Sequence, residues 1–559
     1  MIELSDHQKI KLANLFKNKK FSELEFEIES LSGLKERTAF LSNLLGIVKI
    51  QKKSSSDKDY QDAFELFKDS NTKDPNYVDG ICNYAHLALK LSKYEDAFLK
   101  LKTFLKKGYN PKIYEALARI YFFIGEINEA LSLLKTLVDN NHASKETSAH
   151  FLAASNYTNK YSQAEYLNYC RKINDNFNPK DLSSLKKFSF ESNAEVIELG
   201  FMSPDFCDHA ITQFFLKTLE ELKKYNFKLH AFSLRSTKKL DEFSEKYKKV
   251  FDEWHDVAEL SDLDVANLIR KNKIHILVDL VGYFSRNRFT ILKYKPAPIQ
   301  AIWLGYVNTT GIKEVDYIIT DPNLITKDEE KLYSEEVINL PSIWNCHSVI
   351  SHDLKIKEQP YYKNDFFTFG CFNNSSKISD EVIETWSKIL LKVENSKLVL
   401  KAVSKDAETA HKNFLNKFKK FNIDENRITF LPWTKKRDDH YKLYNKIDLA
   451  LDTFPYPGVT TSFEAIWMGV PVLTLNGNNF VSRCGTSINF NLGMKDFIAY
   501  DTDEYIEKAI LFSQEHNKLS EIRKTLREKA INSPLFNSQK FGKNFSDLLN
   551  KIWNNYLLK

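Results

Sequence analysis

Leu451-Asp452-Thr453-Phe454-Pro455-Tyr456-Pro457-Gly458-Val459-Thr460-Thr461-Ser462-Phe463-Glu464-Ala465-Ile466-Trp467-Met468-Gly469-Val470-Pro471 changes texture three times. An apolar run ends at Asp452, a loop carries Pro455, Pro457 and Gly458, and Thr460-Thr461-Ser462 opens an apolar helical segment that stops at Gly469 before a second apolar run. Strand, loop, helix and strand in that order form the repeating unit of a parallel α/β sheet. A helix that begins beyond the carboxyl end of a strand is also an anion site, because its first N–H groups have no partner within the helix and its dipole is positive there. Thr460 and Thr461 are expected either to cap that helix or to add hydroxyl donors to such a site. Glu464, one turn further on, suits a ribose diol or a capping box equally well. Five of the 16 glycines fall between Gly458 and Gly493. Gly458 is the one placed where the backbone must turn tightly or approach a ligand closely.

The same alternation extends outward. Strands are predicted at 195–201, 228–233 and 274–280, and again at 366–370, 397–401, 427–430, 449–452 and 470–474, each followed by a loop and a helical stretch. Two such series, split near residues 345 to 365, predict two Rossmann-like domains facing a cleft, over 191–350 and 351–559, with ligands beyond the carboxyl ends of the strands. One further strand end, Phe369-Gly370-Cys371-Phe372-Asn373-Asn374-Ser375-Ser376-Lys377-Ile378-Ser379, puts Lys377 in a loop where an ammonium can meet phosphate. Taken alone, Lys377 reads as a solvated surface lysine. After the strand ending near Leu431, His440 reads either as an imidazole against a nucleobase or as a surface histidine on a helix.

Residues 1–190 lack this alternation. Tyr60, Tyr94, Ile127 and Tyr161 recur at steps of 34, 33 and 34, each followed three positions later by Ala63, Ala97, Ala130 and Ala164. Such a helix-turn-helix period resembles tetratricopeptide repeats, in which small residues mark the close approach of two helices and neighbouring units stack to bury their apolar faces. Lys52-Lys53-Ser54-Ser55-Ser56 reads as a loop, and residues 171–192 as the connection to the α/β part.

Composition agrees with a helix-rich, multidomain chain. In 559 residues there are 16 glycines and 14 prolines, less than half of the roughly 12% that average usage gives. That is too little punctuation for an all-β or disordered protein. Eighty basic against 74 acidic side chains leave a net charge of +6 with no single-sign block, which gives no support to nucleic acid or membrane as partners. The six cysteines stand at least 25 positions apart, against a disulfide framework or zinc ribbon. The amino terminus lacks a basic region followed by an apolar one, and a cytoplasmic protein is expected.

Together, the repeats, Gly200-Phe201-Met202-Ser203-Pro204-Asp205-Phe206 with His209, Pro296-Ala297-Pro298-Ile299-Gln300-Ala301-Ile302-Trp303-Leu304-Gly305-Tyr306, Asp316-Tyr317-Ile318-Ile319-Thr320-Asp321, the Asn-Asn-x-x-Lys-Ile loop and the Asp-Thr-Phe-Pro-Tyr element resemble glycosyltransferase family 41. That family includes the protein O-linked N-acetylglucosamine transferases and the plant-type protein O-fucosyltransferases. The resemblance implies a GT-B fold with the acceptor-side domain first and the nucleotide-sugar domain second. It implies that Lys377 binds the donor diphosphate and assists its departure, with Asn374 beside it and Thr460 and Thr461 as the diphosphate-binding pair. Glu464 stands where the animal enzymes have a ribose-binding Asp, His440 matches a histidine near the nucleobase, and Arg437 is its basic neighbour. Gly305 and Gly458 join the donor-binding set. His209 matches a cleft histidine once proposed as general base. Val459 departs from the animal enzymes, which carry a histidine there.

The implied reaction is inverting sugar transfer from a nucleotide sugar to Ser or Thr of a protein or peptide acceptor guided by the repeats, with UDP-N-acetylglucosamine as donor and no metal or other cofactor. Asp262-Leu263-Asp264 reads as a helix start and not as a metal-binding D-x-D. GDP-fucose as donor, glucosylation of Asn, and a repeat scaffold with an inactive transferase half are the alternatives. Ser482-Arg483-Cys484-Gly485-Thr486-Ser487 leans toward the first donor.

Overall fold

The computed structural model describes residues 4–32, 37–52, 56–185, 195–237, 240–284, 286–401 and 408–558. The chain divides into two compact units, Met1–Ala143 and Ser144–Lys559.

The first unit is helical: α1 (Asp6–Lys17), α2 (Phe21–Ser32), α3 (Ala39–Gln51), α4 (Asp57–Lys73), α5 (Val78–Lys90), α6 (Glu95–Leu105), α7 (Pro111–Phe123) and α8 (Ile127–Asp139). Helix starts follow local chemistry. The Asn110 side chain caps α7 by accepting from the N–H groups of Lys112 and Ile113, and Pro111 takes the first helical position, where no N–H is needed. Ala63, Ala97 and Ala130 are fully buried, as the 34-residue pattern requires of positions where helices meet. Of the predicted loop at residues 52–56, positions 53–55 lie outside the described residues.

The fourth repeat behaves differently. Its helices, α9 (Lys145–Ser155) and α10 (Gln163–Asn176), lie within the helical region read from sequence as 1–190 but group with the larger unit, Ser144–Lys559. Ala164 is exposed, contrary to the repeat pattern. The face of α10 that is buried runs instead through Tyr166, Leu167, Cys170, Ile173 and Asn174, against the α/β part: the Asn174 amide donates to the Tyr283 hydroxyl (2.9 Å) and the Thr310 carbonyl (3.0 Å).

The first sheet of this unit contains β1 (Ile197–Ser203), β2 (Phe227–Ser233), β3 (Glu253–Asp256), β4 (Ile276–Asp279), β5 (Ile299–Ile302), β6 (Tyr317–Thr320) and β7 (Glu336–Asn339). They lie in the order β3-β2-β1-β4-β5-β6-β7, parallel throughout. The second contains β8 (Phe367–Cys371), β9 (Ser396–Lys401), β10 (Ile428–Leu431), β11 (Leu449–Leu451), β12 (Val472–Leu475) and β13 (Ile498–Ala499), in the order β10-β9-β8-β11-β12-β13, also parallel. Counted within itself, each sheet follows the 3-2-1-4-5-6 order of the Rossmann fold. Central strands such as β4 and β8 are buried along their whole length, as parallel strands covered on both faces must be.

The two lobes share one core. Phe214 of the first packs edge-on against Phe463 of the second, with ring centroids 5.3 Å apart. The last helix, Ser538–Leu557, returns to the first lobe, where Phe545 packs on Trp303 at 4.3 Å and Trp553 stacks on His275 at 4.5 Å. Two polar contacts also join the lobes: the Arg483 guanidinium donates to the Glu329 carboxylate (2.8 Å) and the Ser487 hydroxyl to Asp321 (2.6 Å).

Candidate functional site

In each sheet the strand order reverses at one place, between β1 and β4 and between β8 and β11. Crossovers leave such a point in opposite directions and open a crevice beyond the carboxyl ends of the strands. Here the two crevices face each other across one cleft of about 490 Å³. Asp205 and His209 enter it from the loop after β1, Leu280 and Val281 from that after β4, Asn373, Asn374 and Lys377 from that after β8, and Tyr456, Val459, Thr460 and Thr461 from that after β11.

The loop after β11 is built around Asp452. One oxygen of its buried carboxylate accepts from the N–H groups of Gly458 (2.6 Å) and Thr453 (3.0 Å) and from the Asn373 amide (3.0 Å), and the other from the Thr474 hydroxyl (3.1 Å). Burial pushes this carboxyl up to about 6. The Asn373 amide also donates to the Thr453 hydroxyl (2.8 Å) and its carbonyl accepts from the Thr461 hydroxyl. One aspartate and one asparagine thus fix the path from β11 to the helix Thr460–Trp467 relative to the loop after β8. Gly458 is necessary in that path: a Cβ there would lie 2.6 Å from the side-chain oxygens of Asn373, Ser462 and Thr461.

Of the two readings of this helix start, capping by a threonine does not hold. Its N-cap is Val459, with no side-chain cap, and Thr460 and Thr461 are its first two residues, so neither threonine caps it. The N–H groups of Ser462 and Phe463 turn back onto the Val459 carbonyl (3.0 and 3.1 Å). Thr460 and Thr461 thus line the cleft at the helix start, where an anion would meet it, with the Thr461 hydroxyl donating to the Asn373 side-chain oxygen. Glu464 is no capping-box residue either. Its carboxylate accepts from the Tyr444 hydroxyl (3.1 Å) and pairs with His440 Nε2 (2.8 Å).

Lys377 ends a short 3-10 turn, Ser375–Lys377, capped by the Asn374 side chain, which accepts from the Ser376 N–H (3.1 Å). Its Nζ donates to the Pro457 carbonyl (2.8 Å) and lies 3.9 Å from the centroid of the Tyr456 ring. Burial pushes this ammonium down to about 8, against the opposing pull of Asp452. Across the cleft, His209 Nδ1 is 4.0 Å from Asp205 and accepts the Ile211 N–H (3.4 Å), while Arg286 donates to Asp205 at 3.1 Å.

The cleft therefore brings together His209, Gly305, Asn374, Lys377, Thr460 and Thr461, with Gly458 beneath them. Gly305 has a packing reason of its own, since a Cβ there would lie 1.9 Å from the Leu280 carbonyl oxygen. His440 and Glu464 form an adjoining pair. Arg437 is not with them: its guanidinium lies on the Phe243 ring at 5.4 Å and pairs with Asp208 of the opposite lobe. Tyr157, Arg286 and Tyr456 also line the cleft and were not singled out from sequence. Tyr157 comes from the turn between α9 and α10, where only a repeat period was legible.

Among the described residues no group of three or more His, Cys, Asp or Glu is arranged to hold a metal ion. Asp262 and Asp264 open a helix: Ser261 accepts the Asp264 N–H (3.1 Å), and Asp262 pairs with Arg288 and Lys145. Nor is any helix, among the described residues, long and apolar enough to cross a membrane.

Comparison with known proteins agrees with this architecture. A probable UDP-N-acetylglucosamine–peptide N-acetylglucosaminyltransferase, SPINDLY, from Solanum lycopersicum is 32% identical over 360 residues, which are 64% of this chain and 39% of that protein. Another from Arabidopsis thaliana, SEC, is 28% identical over 373 residues, 65% of this chain and 38% of its own. The chain thus matches about two fifths of these relatives' length. A mutant of the Thermobaculum terrenum O-GlcNAc transferase superposes with a TM-score of 0.83 at 22% identity, covering 94% of this chain and 99% of that one. This likeness extends to the helical segments and to both lobes of a GT-B architecture. The model of glycosyl transferase family 41 matches residues 171–357 and 347–545, and the chain belongs to that family.

Proposed function

We propose that this chain transfers a sugar, N-acetylglucosamine from UDP-N-acetylglucosamine, to serine or threonine hydroxyls of protein acceptors, with inversion and without a metal ion. The observation that carries the reading is that Lys377, its Nζ held by the Pro457 carbonyl, lines the same cleft as Thr460 and Thr461 at the start of their helix. Sugar transfer breaks the bond between the anomeric carbon and the diphosphate oxygen, and negative charge grows on that oxygen. Donors fixed before the reaction stabilise such charge most effectively, because no reorganisation is needed as it develops.

In this reading the diphosphate lies between Lys377 and the helix start, and the nucleoside extends toward His440 and Glu464. The acceptor hydroxyl enters from the side of His209 and attacks the anomeric carbon opposite the leaving group. Its proton passes to His209, to water or to the donor phosphate. Nδ1 of His209 accepts a backbone N–H, which leaves the proton of the neutral ring on Nε2; to serve as base through Nε2 the ring must give up that bond and carry its proton on Nδ1. His209→Ala separates these routes: loss of kcat with an unchanged KM for donor assigns the proton to the imidazole.

The names of the Solanum and Arabidopsis relatives support the donor and the acceptor class. The test is incubation with each nucleotide sugar and a protein mixture, followed by mass spectrometry of modified peptides. N-acetylhexosamine on Ser or Thr, abolished in a folded Lys377→Ala, supports the proposal. A deoxyhexose from GDP-fucose would replace the donor, hexose on Asn the linkage, and transfer by Lys377→Ala at the wild-type rate would overturn the assignment of the lysine.

A further inference from the structure

Lys377 is held at two points, and both touch one tyrosine from the helical segment of the same unit. The turn between α9 and α10 is fixed to the first lobe: the Asn156 amide donates to the Leu152 carbonyl (3.0 Å), its side-chain oxygen accepts from Asn308 (2.7 Å), and Asn308 in turn accepts from Gln163 (2.7 Å). Asn156 and Asn308 are buried. From this anchored turn Tyr157 reaches across to the second lobe. Its ring lies 4.8 Å from that of Tyr456, and its hydroxyl shares a hydrogen bond with Ser376.

Those two contacts are the supports of Lys377. Ser376 precedes it in the 3-10 turn, and Tyr456 carries the ammonium on its ring face and precedes the Pro457 carbonyl that accepts from it. Resting on the reading of Lys377 as the diphosphate lysine, we propose that Tyr157 is a positioning residue for it, setting the 375–377 turn and the Tyr456 platform at once and shielding the ammonium from water. The two helices before the first sheet then complete the donor site as well as extending the repeats. A ring–ring contact that merely filled space would leave the ionisation of Lys377 untouched, which separates the two roles.

The experiment compares wild type with Tyr157→Phe, Tyr157→Leu and Tyr157→Ala in the full chain. The rate at which acetic anhydride labels Lys377 is followed against pH by mass spectrometry, alongside titration with UDP. In wild type the labelling midpoint is expected near 8, where burial holds the ammonium. In Tyr157→Ala and Tyr157→Leu water reaches the ammonium, and a midpoint raised by one unit slows labelling at pH 8 about fivefold. Tyr157→Phe keeps the ring and the midpoint but loses the Ser376 bond, weakening UDP about threefold. If Tyr157→Ala does not fold, Tyr157→Leu, which keeps the bulk, is read in the same way. A folded variant lacking the ring whose midpoint and UDP affinity match wild type overturns the proposal. Wild type that binds no nucleotide overturns the functional reading instead, and the labelling midpoints still decide the role of Tyr157.

Discussion

Gly458→Ala should damage donor binding far more than one methyl group would at the surface. The new Cβ would lie 2.6 Å from three oxygens, where ordinary contact starts at 3.4 Å, so each must retreat by most of an ångström. Two of the three, on Asn373 and Thr461, are tied to one another and to the loop. The Asn373 amide is bonded to Asp452 and Thr453, its carbonyl accepts from Thr461, and the Gly458 N–H is itself held by Asp452 at 2.6 Å. Overpacking of this kind costs about 1–3 kcal/mol. Its cheapest relief is to swing Thr461 away from the cleft. A lost hydrogen bond to a charged phosphate costs about 1.5–3 kcal/mol, which is roughly a tenfold to hundredfold weaker affinity. Isothermal titration with UDP at pH 7 measures it, and urea unfolding measures the cost to the fold separately. Gly493→Ala is the control, since its backbone is left-handed at φ +71 but its Cβ would meet only Lys529, at 3.5 Å. It should lower stability by about 1 kcal/mol and leave UDP affinity alone. Gly458→Ala binding UDP within a factor of two of wild type would refute this reasoning.

Three further outcomes are expected. Because burial holds free Lys377 near 8 and a bound diphosphate favours its charged form, binding should take up a proton at pH 8 to 9 and weaken up to about tenfold per pH unit above 8; buffer-dependent titration heats check this, and Lys377→Met should abolish the slope. Arg483→Met removes a guanidinium that holds Glu329 and the carbonyls of Gly477 and Leu324, and should cost about 2 kcal/mol in urea unfolding. Asp279 is wholly buried, and burial pushes its carboxyl from 3.8 up to about 7. The folded state therefore holds this proton more tightly than the unfolded chain does. The stability it contributes is complete below pH 3.8 and is lost as pH rises through 7, by about 4 kcal/mol in all, and Asp279→Asn should remove that slope from the unfolding free energy.

Much of this architecture was legible because period and punctuation are local properties. The central strands β1, β2, β4, β8 and β9 are short segments rich in apolar residues that alternate with helical stretches, and the helix start at Thr460 follows a Pro/Gly loop. The strands β3 (Glu-Trp-His-Asp) and β7 (Glu-Val-Ile-Asn) begin and end on polar residues and β13 has only two residues, so no apolar run marks them, and β5 is hidden among Pro296, Pro298 and the turn at Gly305. Buried contacts were less legible. Thr460 looks like a cap from its type, but the chain enters the helix through Val459 and leaves the hydroxyl for the cleft. Glu464 looks available to a ribose, yet its hydrogen-bond partners Tyr444 and His440 come from a different helical segment. Arg437 is drawn to Asp208 of the other lobe. Ala164 fits the repeat perfectly in sequence, and is exposed because α10 turns a different face to the α/β part. Glu464, Arg437 and Ala164 were each decided by a neighbour remote in sequence.

The central claim is that Lys377, Thr460 and Thr461 form a diphosphate site for a nucleotide sugar. Thermal unfolding of wild type and Lys377→Ala, titrated with UDP, GDP and their sugars, tests it most directly, since a ligand that binds the folded state alone raises its stability by mass action. The account predicts that saturating UDP or UDP-N-acetylglucosamine raises the wild-type midpoint and leaves Lys377→Ala unmoved; no shift of the wild type with any of these nucleotides would contradict it.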